Sequence, residues 1–138
     1  MDILIIDDEN SIRLTASLAL EAEGHYVETA EDGKLALRRI KEEQFDLVFL
    51  DLRPGNEDGL ELLRKIIALK QPPLVVIFTA CDYIATAVQA TRHGAFGYLE
   101  KPFTPDELRA VLTRARKSLI TRGEAKSLTK SIPESTSE

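Results

Sequence analysis

Five short apolar runs, each followed by a segment of helical periodicity, constrain this chain more than any other feature of its sequence. The runs are Ile3 to Ile6, His25 to Thr29, Leu47 to Leu50, Leu74 to Phe78 and Phe96 to Leu99. They are too short for helices and mostly too continuously apolar for half-exposed strands, so they read as buried strands. Between them, apolar residues recur at helical spacing. Ile12, Leu14, Leu18 and Ala22 mark a first helix from Ser11 that stops near Gly24, and Ala36, Leu37 and Ile40 mark a second from Asp32 to Glu43. Leu60, Leu62, Leu63, Ile66 and Ile67 mark a third over Asp58 to Leu69, broken from the next strand by Pro72-Pro73. A fourth runs from Tyr83 to His93 and ends at Gly94. The last runs from Thr104 to Arg122, with Leu108, Val111, Leu112, Ala115 and Leu119 on its core side. Pro105-Asp106-Glu107 suits its first turn.

Strands alternating with helices predict an α/β protein with a doubly wound, five-stranded parallel sheet. Crossovers in such sheets are right-handed, and ligands lie beyond the carboxyl ends of the strands. The polar residues of interest fall at those ends: Asp7 and Asp8, Asp51, Thr79 and Lys101. Phe45-Asp46-Leu47-Val48-Phe49-Leu50-Asp51-Leu52, taken alone, would make Asp51 a turn-former or helix cap. The other strand ends change that reading. Carboxylates sharing one crevice repel one another unless a cation joins them, and oxygen donors without His or Cys suit Mg²⁺. A lysine and a hydroxyl complete a site for a phosphoryl group, with Asp51 as a nucleophile that forms an aspartyl phosphate.

A length of 138 residues predicts one domain, over residues 1–122, with a polar tail over 123–138 rich in Ser, Thr, Lys and Glu that reads as a linker or disordered end. The net charge of −5 argues against direct nucleic-acid binding. Arg109, Arg114, Arg116, Lys117 and Arg122 have acids among them, so they read as a solvated or dimer-forming face. One cysteine fits a reducing compartment, and no signal or membrane-spanning pattern is present, so a cytoplasmic location is expected. His25 and His93 read as surface residues.

Ile5-Ile6-Asp7-Asp8-Glu9, Leu50-Asp51-Leu52 with Gly59 eight residues past the acid, Thr79-Ala80 and Lys101-Pro102-Phe103 together resemble the receiver domain of bacterial two-component response regulators. The resemblance covers about residues 1–120. It implies a flavodoxin-like (βα)5 fold with strand order 2-1-3-4-5. It also implies that Asp51 accepts phosphate from a sensor histidine kinase and that the chain is not a metabolic enzyme. Mg²⁺ or Mn²⁺ would be held by Asp7, Asp8, Asp51 and the main-chain carbonyl of Arg53, while Thr79 and Lys101 would bind phosphoryl oxygens. The Lys101-Pro102 bond resembles the family's cis peptide. Tyr98 stands where the family has a switch aromatic, turning inward with Thr79 to remodel the face of helix four, strand five and helix five. Arg53 and Cys81 occupy positions that tune dephosphorylation. Homodimerisation on phosphorylation is implied as a further partnership.

The sequence also departs from the family. Pro54-Gly55 stands where most members have an apolar residue and then proline, which predicts a different turn at an unchanged distance to Gly59. The segment from Ala87 to Phe103 is similar to receivers of σ54-dependent transcription activators, so control of transcription through a domain outside this chain is expected, against the alternative of a stand-alone receiver. Two rival classes fit less well. A haloacid-dehalogenase-like phosphatase carries its nucleophile after strand one with a second acid two residues on, and a flavodoxin-like flavin carrier has a Ser/Thr/Gly-rich loop there. Asp7-Asp8-Glu9 matches neither.

Overall fold

The computed structural model describes residues 1–52 and 59–124, with the side chains of Cys81 and Glu124 outside that description. The strands are β1 (Asp2–Ile6), β2 (Tyr26–Ala30), β3 (Leu47–Leu50), β4 (Leu74–Ala80) and β5 (Gly97–Lys101). The helices are α1 (Asn10–Ala22), α2 (Gly33–Glu42), α3 (Gly59–Ile67), α4 (Ile84–Arg92) and α5 (Pro105–Leu119). The strands form one parallel sheet in the order β2-β1-β3-β4-β5, as the resemblance implied.

Side chains alternate across a strand, so an apolar run without alternation has to be covered on both faces. That is what the helices do. Ile3, Ile5, Phe49, Val76, Phe78 and Leu99 face α1 and α5, meeting Ala16, Leu20, Leu108, Val111, Leu112 and Ala115. Leu4, Ile6, Val48, Leu50, Val75 and Ile77 face the other side, where α2, α3 and α4 contribute Ala36, Ile40, Leu62, Leu63, Ile66, Ala87 and Ala90. Full burial of each large aliphatic side chain contributes about 1.5–3 kcal/mol, so these two layers dominate the favourable side of folding.

Local signals explain most element ends. Gly24 follows α1 with φ 90°, a left-handed conformation that costs glycine little. Asp32 caps α2 by accepting from the Leu35 amide at 2.8 Å. Thr104 and Glu107 form a reciprocal capping box at the start of α5.

Several ends differ from the sequence expectation. β4 runs on through Thr79 and Ala80, and β5 runs on to Lys101, so these polar residues lie in the last strand positions and not after them. The reason is the ladder: Thr79 pairs with Glu100 and Ala80 with Lys101, and backbone pairing is indifferent to side-chain polarity. A 3₁₀ turn at Cys81–Tyr83 precedes α4, and α5 ends at Leu119, passing into a π-type turn at Ile120–Glu124. The onset of the third helix at Asp58 and the tail from residue 125 lie outside the described residues.

Candidate functional site

Four strand ends brought side by side, those of β1, β3, β4 and β5, make the site. Ile6 lies between Ala30 and Leu50 in the sheet, and Leu50 pairs with Ile77, so the residues following β1 and β3 leave the sheet at one level. The Asp7 amide donates to the Ala30 carbonyl at 3.2 Å, and the Asp51 amide donates to the Ile6 carbonyl at 3.0 Å. These main-chain bonds direct both carboxylates into the crevice before any side-chain contact is counted. The Glu9 amide donates to Asp7 Oδ1 at 2.9 Å, and Arg13 Nη1 donates to the Asp7 carbonyl at 2.6 Å, so α1 braces the loop from below.

One carboxylate oxygen from each of Asp7, Asp8 and Asp51 lies within 4.8 Å of the others. Asp7 is buried, Asp51 half-buried and Asp8 exposed. Lys101 reaches them from the end of β5, two strands along from β3. Its Nζ donates to Asp7 Oδ2 at 2.9 Å and to Asp51 Oδ1 at 3.3 Å, with 14% of the side chain exposed. Among the described residues, one ammonium stands among three carboxylates, a formal sum of −2 in a small volume. A hard dication is the natural complement to such an all-oxygen donor set, and Asp7, Asp8 and Asp51 together fit Mg²⁺ or Mn²⁺.

Thr79 is wholly buried at the end of β4, with Oγ1 donating to the Ala80 carbonyl at 3.4 Å. Such a long bond leaves the hydroxyl free to be recruited by a better acceptor. The Lys101-Pro102 peptide is cis. Tyr98 points outward from β5, 40% exposed. Gly59, eight residues beyond Asp51, packs against Leu52 so closely that a Cβ there would lie 2.4 Å from Leu52 Cδ2 and 3.3 Å from its Cα. Glycine at that spacing is therefore a packing requirement that holds the segment carrying Asp51 against α3.

Asp51 borders two openings. On the α1 side is a cleft of about 550 Å³, lined by Ile12, Ala16, Tyr83, Pro102 and Phe103 together with Lys101. On the other side is a recess of about 170 Å³ that includes Asp7, Asp8, Asp32 and Gly59. The wide apolar cleft and the small acidic recess thus approach the same carboxylate from opposite directions.

Asp7, Asp8, Asp51, Thr79 and Lys101 are all brought to one end of the sheet. Arg53, Pro54 and Gly55 lie outside the described residues, as does the Cys81 side chain. His25 departs from its surface assignment: it is half-buried, with Nδ1 3.0 Å from the Met1 ammonium. Burial first, then that ammonium and Arg116, hold its imidazole below the usual value of 6.5. His93 is exposed as expected, its Nδ1 3.0 Å from the Gln89 carbonyl. The basic residues of α5 are exposed; Arg109 pairs with Glu23 at 3.1 Å and Asp106 at 2.8 Å. Two residues of the site carried no sequence signal. Arg13 looked like the polar face of a helix, and Phe78, which lies under Lys101 with its ring centroid 4.8 Å from Nζ, looked like any core aromatic. Among the described residues, no helix is long and apolar enough to cross a membrane.

The family model of the response regulator receiver domain matches residues 3–113. The chain is 43% identical over 107 residues to the alginate biosynthesis transcriptional regulatory protein AlgB of Pseudomonas aeruginosa, covering 78% of this chain and 24% of that protein. It is 41% identical over 130 residues to the nitrogen assimilation regulatory protein NtrX of Azorhizobium caulinodans, covering 92% of this chain and 28% of that protein. It therefore spans about a quarter of the length of these relatives. Among solved structures, NtrX from Brucella abortus superposes with a TM-score of 0.83 at 40% identity, covering 92% of this chain and 29% of that one. The isolated receiver domain of the same protein superposes with a TM-score of 0.77 at 42% identity, covering 83% of this chain and 97% of that one. With its motifs in order at the ends of a 2-1-3-4-5 parallel sheet, this chain belongs to the response regulator receiver domain family of two-component systems.

Proposed function

We propose that this chain is a phosphoacceptor whose Asp51 takes a phosphoryl group from the phosphohistidine of a sensor kinase. An Asp51 carboxylate oxygen attacks phosphorus, the phosphorus–nitrogen bond breaks, and the imidazole leaves with the electron pair. The product is an acyl phosphate on Asp51. Mg²⁺ or Mn²⁺, held by Asp7, Asp8, Asp51 and the Arg53 carbonyl, would neutralise the phosphoryl oxygens when bound. Lys101 supplies the second counter-charge, and Thr79 turns its hydroxyl onto a phosphoryl oxygen. The observation that carries this reading is the Lys101 ammonium bridging Asp7 and Asp51, 94 and 50 residues away in sequence, at the mouth of the crevice.

Loss of the Thr79 hydroxyl to the phosphate opens space behind it, and Tyr98, now outward, moves in. The surface of α4, β5 and α5 then changes between two states, the basis for a dimer formed on phosphorylation. Arg53 and Cys81 tune how fast water reaches the acyl phosphate. Residues 1–122 form the receiver, and 123–138 link it to whatever carries the output. Because the relative AlgB bears the name of a transcriptional regulatory protein, that output is control of transcription in the cytoplasm, through a domain beyond this chain.

Incubation with acetyl phosphate and Mg²⁺, followed by intact mass measurement, tests the central step. One added phosphoryl group is expected on the wild-type chain and none on Asp51→Asn. An unmodified wild-type protein, or label that persists in the Asn variant, would overturn the reading.

A further inference from the structure

We propose that Phe78 is a positioning residue for Lys101: its ring face carries the ammonium and aims it at the phosphoryl group, an inference that rests on Asp51 being the phosphoacceptor. The Nζ of Lys101 stands 4.8 Å from the Phe78 ring centroid, inside the range in which a cation is held by the ring quadrupole. Both groups are withdrawn from water, Phe78 with 2% and the Lys101 side chain with 14% exposed, and removal of water strengthens that attraction. The ring is itself fixed. Phe49 packs on it at a centroid distance of 6.0 Å and an interplanar angle of 69°, and Phe103, two residues beyond Lys101, packs at 5.5 Å and 53°.

The chemistry explains why an aromatic ring suits this place. An ammonium has three N–H groups. Asp7 and Asp51 take two of them, and a third must remain for the incoming phosphoryl oxygen. A third carboxylate could hold the ammonium equally well, but its charge would repel the phosphoryl anion. A ring face attracts the cation and presents no full negative charge to the phosphate. Phe78 also adjoins Thr79, so the two groups that meet the phosphoryl oxygens, a hydroxyl and an ammonium, are set by consecutive residues of β4.

The test separates the ring's electrostatics from its volume. Phenylalanine analogues with one, two and three ring fluorines at position 78 drain the quadrupole at nearly constant size. Phe78→Leu removes the quadrupole altogether. The rate of Asp51 phosphorylation by acetyl phosphate in Mg²⁺ is followed by intact mass, with thermal melts in parallel. The rate is expected to fall stepwise with fluorination, to about one-tenth with three fluorines, while the melting temperature of the fluorinated chains stays near that of the wild type. A rate independent of fluorination, with the wild-type chain active, would reduce Phe78 to a core residue and overturn this inference alone, even if Phe78→Leu is slow or unstable. A wild-type chain that takes no phosphate would overturn the phosphoacceptor reading and this inference with it.

Discussion

Gly59 shows how a single atom can matter far from any chemistry. A Cβ at this position meets the Leu52 methyl, which can rotate, and also the Leu52 backbone, which cannot move without carrying Asp51 with it. Gly59→Ala is therefore expected to cost about 1–3 kcal/mol, as overpacking in a tight site does, and to slow phosphorylation of Asp51 as well. Urea unfolding beside the acetyl phosphate assay checks both effects; a variant as stable and as fast as the wild type would show that Leu52 gives way. His25 sits at the other end of the sheet and makes a different prediction. Its folded pKa is depressed, first by burial and then by the Met1 ammonium and Arg116. As pH falls below the unfolded value of about 6.5, the unfolded chain takes the proton first. The stability associated with neutral His25 is thus complete above that value and is lost as pH falls toward the depressed folded pKa. Replacing His25 by Gln is expected to flatten this part of the stability profile, read as denaturation midpoints between about pH 7.5 and 5.

At the scale of elements, caps and crossing contacts can be ranked by magnitude. The ion pair of Arg39 with Glu28, 2.9 Å long, ties α2 to β2, but its partners are 36% and 25% exposed. Such a pair contributes well under about 1 kcal/mol. The Thr104–Glu107 box at the start of α5 satisfies two helix amides that would otherwise lack partners. Thr104→Ala is accordingly expected to destabilise the chain by about 1 kcal/mol, with an unchanged denaturant slope. The effect should reach the site, because Thr104 immediately follows the Lys101-Pro102-Phe103 turn. A midpoint that does not move would mean that water caps α5 as well as the threonine does.

For the whole molecule, the carboxylate cluster sets the balance between stability and readiness. Asp7, Asp8 and Asp51 are held together by a fold that gains its stability in two apolar layers, not at the crevice. A dication bound only by the folded chain should therefore stabilise it by mass action, by about 2.7 kcal/mol at a hundred times its dissociation constant. Denaturant midpoints are expected to rise with Mg²⁺ and to return to baseline on chelation, whereas Asp8→Asn should respond far less. Midpoints indifferent to Mg²⁺ at fixed ionic strength would count against the cluster as a metal site.

What the sequence determined by itself was the alternation of elements and the residues able to do chemistry. Periodicities of 2 and 3.6, glycine stops and the proline and acids that open α5 are local properties, readable without knowing what packs where. Leu47–Leu50 and the polar residues at strand ends were legible for that reason. The tertiary structure decided how far β4 and β5 extend, since their last pairs depend on the neighbouring strand. It also decided that His25 is half-buried, and that Lys101 bridges Asp7 and Asp51 while resting on Phe78. Those contacts join residues far apart in the chain, and a buried phenylalanine under an ammonium has the same local pattern as one in a plain core. Only the parallel register of β3, β4 and β5 brings the charge, the ring and the acid within a few ångströms of one another.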